Sequence, residues 1–243
     1  MSAFPLEYTQ QSSQDGPVLE PFLLKVVGAR VRVNPLLEPV PENGEDRPHL
    51  KWNMLFKTNA CQRSTDPSHV SWYKGRDAPA TFPRVTKINL VSETFPWMVT
   101  IHAADPNVGV ICGEVIDGLS EDLHKLTSGA DYKAQPDAKK HMIGESYRYN
   151  RSRAGGVPGG RLGEGLRRMD FLGRDAVFGG VVNDERLVKK LVGEVLPATF
   201  VVRCVRQYAL TPEELRDHEL RERAAEENQR ATVETESESA DDE

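Results

Sequence analysis

The residues in this 243-residue chain that could hold a metal are six histidines and three cysteines, and their spacing argues against that chemistry. His49, His69, His102, His124, His141 and His218 fall in no HxxxH or HExxH pattern, and Cys61, Cys112 and Cys204 make no CxxC. A site assembled in space would start from residues such as Cys61 and His69; surface or half-buried histidines are the plainer reading. No G-x-S-x-G elbow is present to expose a serine nucleophile. Cys61 lies in a polar stretch near Arg63, whose charge would lower a thiol pKa slightly. Asp170, between Met169 and Phe171, and Asp175 flank a turn, where a structural hydrogen bond is favoured over general-acid work. No catalytic residue, metal or cofactor is assigned.

One stretch combines backbone and charge in a way that could bind an anion. Arg151 to Gly165 reads RSRAGGVPGGRLGEG, with six glycines between Gly155 and Gly165. Glycine-loop N–H groups can cradle phosphate, and Arg151, Arg153, Arg161, Arg167 and Arg168 are the candidate anion or partner contacts. The G-x-x-x-x-G-K-[ST] pattern is absent, however, and no strand runs into the loop with a helix behind it. The density of glycine predicts an exposed, mobile connector. Arginine and glycine beside Tyr147 and Tyr149 would also suit phosphate contact and base stacking.

Charge is unevenly distributed. The formal net charge is −6, but Thr211 to Glu243 holds thirteen acidic residues against four arginines. The other 210 residues therefore carry +3, and Lys139 to Arg174 has nine basic side chains against three acidic ones. A basic belt and an acidic tail in one chain point to self-pairing or to a charged partner. With 38% hydrophobic residues and no apolar run of about 18, no membrane span is expected. The first residues lack the charged and apolar regions of a secretory signal. Three cysteines at wide spacing fit a reducing, intracellular compartment, cytoplasmic or nuclear, better than a disulfide framework.

The elements that must position these groups are legible from periodicity. Residues 1–30 are polar and proline-bearing and predict a mostly disordered arm, in which Phe22 to Val27 could dock. Ala78 to Ala103 predicts two strands, with Ile88 and Leu90 on one face and Lys87 and Asn89 on the other. Phe95, Trp97, Val99 and Ile101 share a face of the second strand. Ile116, Leu119, Leu123 and Leu126 recur at helical spacing, predicting a helix from Gly113 to Leu126 that ends at Ser128-Gly129. A second helix is predicted from Asp137 to Tyr149. Strands follow at Leu166 to Leu172, Ala176 to Val182 and Thr199 to Val205, with a helical turn or two between Asp184 and Val192. Thr211, Pro212, Glu213 and Glu214 signal a C-terminal helix over 210–231, and 232–243 predicts an acidic disordered tail.

Together these give one α+β domain over 31–209, with a mostly antiparallel sheet of short strands, two main helices on one face and disordered termini. Trp52, Trp72, Trp97 and the leucine stripe are its expected core.

The order Asn34-Pro35-Leu36-Leu37, Leu50-Lys51-Trp52, Ala78 to Pro83, Pro96-Trp97, the strand-to-helix step at Gly109 to Ile116, Met169 to Leu172 and Phe178-Gly179-Gly180 resembles an uncharacterised domain family. The resemblance covers about 31–207. It implies a lineage found mainly in mushroom-forming fungi and carries no assigned function or catalytic residue. Cys112 stands where that family often opens its first helix with threonine or serine. The sequence is therefore read as a non-catalytic intracellular domain that meets a protein partner through its Arg/Gly loop and acidic tail. An anion- or RNA-binding module is the alternative, and an uncharacterised enzyme the third.

Overall fold

The first ordered element forms where the sequence predicts an arm. In the computed structural model, which describes residues 16–40, 47–67 and 70–206, α1 (Pro21–Val27) is a seven-residue helix. Pro21 suits its first turn, and Gly28, at φ 63°, closes it by donating to the Leu24 carbonyl. Leu24 is buried in the main core. Just before the helix, the Leu19 N–H donates to the Arg84 carbonyl (2.9 Å) and the Leu19 carbonyl accepts from Thr86 N–H (3.1 Å). Residues 16–30 are thus built into the domain rather than forming part of a disordered arm.

Two short ribbons follow. β1 (Arg32–Val33) and β2 (Leu50–Lys51) come first, and β2 pairs antiparallel with β3 (Gln62–Arg63). β1 pairs antiparallel with β4 (Thr81–Phe82). The central pair then appears as predicted: β5 (Lys87–Val91) and β6 (Val99–His102) are antiparallel, with Ile88 opposite Ile101. Phe95 and Trp97 precede β6 in a bend and stack on each other, ring centroids 5.3 Å apart, instead of continuing the strand.

The main helices are α2 (Cys112–His124) and α4 (Asp137–Asn150), with a short α3 (Gly129–Lys133) between them. Ser128 does not mark a helix end. Its hydroxyl accepts from the Asp131 N–H (3.0 Å) and caps α3. α2 ends at His124, so Leu126 leaves the apolar stripe and stands 63% exposed. At the other end, Glu114 accepts from the Ile111 N–H (3.0 Å) and the Ala104 N–H (2.7 Å). A carboxylate thus supplies the N-terminal cap that Ile111, with no polar side chain, cannot.

Three elements complete the described residues: β7 (Val177–Val182), α5 (Glu185–Val192) and β8 (Thr199–Val205). The sheet order is β6-β5-β8-β7, and only the β5–β8 contact is parallel. The fold is α+β with short, mostly antiparallel strands. One sheet face, carrying Ile88, Leu90, Phe200 and Val202, joins a core with Val115, Ile116, Leu119 and Leu123 of α2. α2 lies close to β6: a Cβ placed on Gly118 would come within 2.9 Å of Ile101. The other face buries Val91 and Val201 against Val188 of α5. Asn89 lies on this second face but is buried. Its amide oxygen accepts from Thr100 Oγ1 (3.0 Å) and its nitrogen donates to Thr199 Oγ1 (3.3 Å).

Leu166 to Leu172 is not a strand. Arg168 to Leu172 forms a 3-10 turn whose residues Met169 to Leu172 are all buried, with no alternation to mark a pleat. Pairing is confined to one antiparallel bridge between Leu126 and Arg167, where the Arg168 N–H donates to the Lys125 carbonyl (3.0 Å). Beyond it the Asp170 N–H donates to the Arg167 carbonyl (3.0 Å) and the Asp170 carboxylate accepts the Arg167 N–H (2.8 Å).

The chain divides into residues 1–207 and 208–243. Residues 1–15, the helix expected over 210–231 and the acidic tail expected over 232–243 lie outside the described residues.

Candidate functional site

The glycine-rich stretch is held from inside. α4 ends at Asn150, and the next residue, Arg151, turns its guanidinium back under the loop. It donates to the carbonyls of Tyr147 (3.0 Å), Gly163 (2.9 Å) and Gly165 (2.7 Å) and to the Asp170 carboxylate (3.0 Å). The guanidinium also lies 3.8 Å from the Tyr147 ring centroid. Asp170 is fully buried and additionally accepts from Asn150 Nδ2 (2.9 Å). The loop itself carries a 3-10 turn, Gly159–Leu162, and Leu162 is buried in the core. The expected open connector is therefore anchored at both ends and in its middle.

Two more of the five candidate arginines are engaged in the same way. Arg167 donates to the Leu162 carbonyl (3.1 Å) and to the His124 carbonyl (2.5 Å) at the end of α2. Arg168 pairs with the buried Asp122, which also accepts from Lys125 Nζ (3.1 Å). Its guanidinium lies over Trp97, 4.6 Å from the ring centroid, and Trp97 meets Phe171 edge-on at 5.1 Å. Arg153 and Arg161 are exposed. Of the five side chains expected at an anion surface, then, Arg151, Arg167 and Arg168 tie α2, α4 and the loop together, and two face solvent.

Cys61 and Cys112 are buried, and Cys204 is half-buried. Burial pushes the Cys61 thiol up to about 12, against a smaller lowering by Arg76 rather than Arg63. Burial raises Cys112 further, and raises Cys204 despite hydrogen bonds from Thr94 and Ser92 that favour its thiolate. A thiol kept protonated is a poor nucleophile. His69, the metal partner considered for Cys61, lies outside the described residues. His124 sits at the end of α2 with Nδ1 2.8 Å from the Ser120 carbonyl, and burial lowers its pKa. His102 stands opposite Lys87 on β6. No group of three potential metal ligands occurs among the described residues.

Concavity is found elsewhere. A cleft of about 950 Å³ opens between residues 24–33 on one side and 181–188 with 195–200 on the other. Its apolar floor includes Leu24, Val33, Val181, Val188 and Phe200, all buried. Four cations, Lys25, Arg30, Arg32 and Arg47, line it against two carboxylates, Glu38 and Glu185. Arg47 and Glu38 pair with each other at 2.6 Å. A smaller cleft of about 640 Å³ lies between β2 and β7, reaching His49, Trp52 and Arg203. Neither cleft is lined by Cys61, His102 or His124.

The larger cleft was not anticipated from the sequence. Its signal was the alternation Arg30-Val31-Arg32-Val33, which places Arg30 and Arg32 outward and buries Val33. The β1 ribbon that displays them is only two residues long, and the facing wall comes from some 150 residues further along the chain.

Residues 50–188 match the model of a family of unknown function (DUF6699). No curated protein matches the chain, and no solved structure does. The matched span starts at β2 and ends within α5, shorter than the expected 31–207. It leaves out α1, β1 and β8, and with them most of the larger cleft.

Proposed function

The chain belongs to that family of unknown function, and from this premise we propose that it is a non-catalytic, intracellular protein-interaction domain of fungal type. The observation that carries the reading is the outer side of α1. Phe22, Val26 and Val27 are 62%, 74% and 61% exposed on one short helix whose Leu24 is buried. Clustered large apolar side chains at a surface favour a protein contact over solvent. Three cysteines, all free, support a reducing compartment.

The test compares proteins recovered with the full-length chain and with a Phe22→Ser, Val26→Ser variant. Because these side chains are exposed, the variant is expected to keep its thermal midpoint and to lose the proteins bound by the parent. Recovery of the same proteins at the same yield sinks the reading. The alternative, anion or RNA binding through the glycine-rich loop, rests on Arg153 and Arg161. Failure of single-stranded RNA to bind across a salt series removes it.

A further inference from the structure

The cleft beside α1 pairs an apolar floor with an excess of positive charge at its rim, and that pairing selects a ligand. Lys25 in the last turn of α1, Arg30 in the connector and Arg32 on β1 are exposed and belong to the same side. None of the three has a carboxylate partner among the described residues, whereas Arg47 is matched by Glu38. Arg32 leans on the half-exposed Phe82, its guanidinium 5.9 Å from the ring centroid. The opposite side is apolar apart from Asn183, Glu185 and Thr199. Asn183 donates to the Val31 carbonyl (3.1 Å) and links the two sides without adding charge.

We propose that this cleft binds an extended acidic peptide segment of a partner protein, with carboxylates on Lys25, Arg30 and Arg32 and intervening apolar side chains on the floor formed by Val33, Val181 and Phe200. The assignment rests on the interaction-domain reading and names the chemistry of the partner. Extended peptide fits because successive side chains point to opposite sides, so acids and apolar residues can alternate between rim and floor. Guanidinium forks donate two parallel hydrogen bonds to a carboxylate, which fixes register as well as sign. A volume of about 950 Å³ is at the upper end for small-molecule pockets, which run to about 1,000 Å³. The exposed rim leaves the cleft open for a chain to enter and leave.

The experiment is a fluorescence-anisotropy titration of the full-length chain with a labelled nonapeptide that alternates glutamate with leucine or valine. A matched peptide with glutamine for glutamate is the first control. Saturable binding of the acidic peptide is expected, at least tenfold weaker for the glutamine peptide and weaker again in high salt. The Arg30→Glu, Arg32→Glu variant should lose at least tenfold in affinity, with an unchanged circular dichroism spectrum. Arg153→Glu, Arg161→Glu, which alters the exposed loop cations by the same charge, should leave it within twofold. Equal binding by the cleft variant and the parent overturns the assignment, as does no binding of the acidic peptide. A thermal shift with decanoate but none with the peptide also overturns it, because the cleft would then take a single-headed amphiphile. If the peptide fails while the Phe22→Ser, Val26→Ser variant still loses its bound proteins, the cleft assignment falls and the interaction-domain reading stands. If both fail, both fall.

Discussion

Arg151 and Asp170 show how a charged pair inside a protein specifies a local shape. Asp170 receives Arg151, Asn150 and the Arg167 N–H, so its carboxylate fixes the end of α4 and the start of the 3-10 turn together. Removing one member leaves the other's charge desolvated without a partner, which commonly costs about 3–5 kcal/mol. Asp170→Ala should therefore lower the urea unfolding free energy by about 3 kcal/mol. Arg151→Leu combined with Asp170→Leu should cost less than the two single changes added, which a double-mutant cycle reads directly. His124 gives a second residue-level outcome. Burial holds its folded pKa below the ordinary 6.5, so between those two values the unfolded chain binds more protons. Its contribution to stability is complete above about pH 6.5 and is lost as pH falls through the folded value. The urea midpoint of the parent should fall more between pH 7 and pH 5 than that of His124→Gln; parallel profiles would show that burial of this ring has no such effect.

Among the elements, those with a clear period were legible and those held by single side chains were not. α2 and α4 were visible because apolar residues recur at three and four, and β8 because Thr199 to Val205 is rich in β-branched and aromatic residues, with Arg203 its one charge. The turn at Arg168 to Leu172 shares the apolar content of a strand, but pairing stops at the single Leu126–Arg167 bridge, after which the Asp170 carboxylate and N–H bind back to Arg167 and curl the chain into the turn. Counting glycines could not reveal that Arg151 would bind the carbonyls of Gly163 and Gly165. The same limit applies to the five candidate arginines: a cluster in sequence says nothing of which ones meet carboxylates inside, as Arg151 and Arg168 do, and which stay exposed, as Arg153 and Arg161 do. In β7 the glycines do have a structural reason. Gly180 has φ 99° at a register shift opposite β8, and a Cβ there would run into the backbone of Glu38 and Pro39. Gly180→Ala should cost about 3 kcal/mol, combining positive-φ strain with a backbone clash, or about 10 °C in Tm. Gly155→Ala, with nothing within 4 Å of its added carbon, is the matched control and should stay within about 0.5 kcal/mol. Equal midpoints for the two variants would mean that β7 shifts to accept the methyl group.

At the scale of the molecule, the family match and the folded unit do not coincide. The match begins at residue 50, while the core takes in Leu24, Val33 and Leu37 ahead of it and Phe200 and Val202 behind it. A chain cut to begin at Val31, as polarity and proline content suggest, would lose more than a tail. It would lose Leu24, worth about 1.5–3 kcal/mol when fully buried, together with both backbone bonds of Leu19. Arg84, itself only 9% exposed, would lose the Gly16 carbonyl it donates to. The summed cost, about 3–5 kcal/mol on burial and hydrogen-bond magnitudes, is a large part of a typical domain's 5–15 kcal/mol. The truncated chain should still fold, with Tm lower by about 10 °C or more. Leu24→Ala in the full-length chain should account for about half of that fall. The same truncation removes Lys25 and Arg30 from the cleft, so acidic-peptide binding should weaken together with stability, whereas Leu24→Ala should lower stability and leave the cations in place. An unchanged midpoint for the chain beginning at Val31 would show that α1 rests on the domain without stabilising it, and its cations would then have no fixed position from which to hold a ligand.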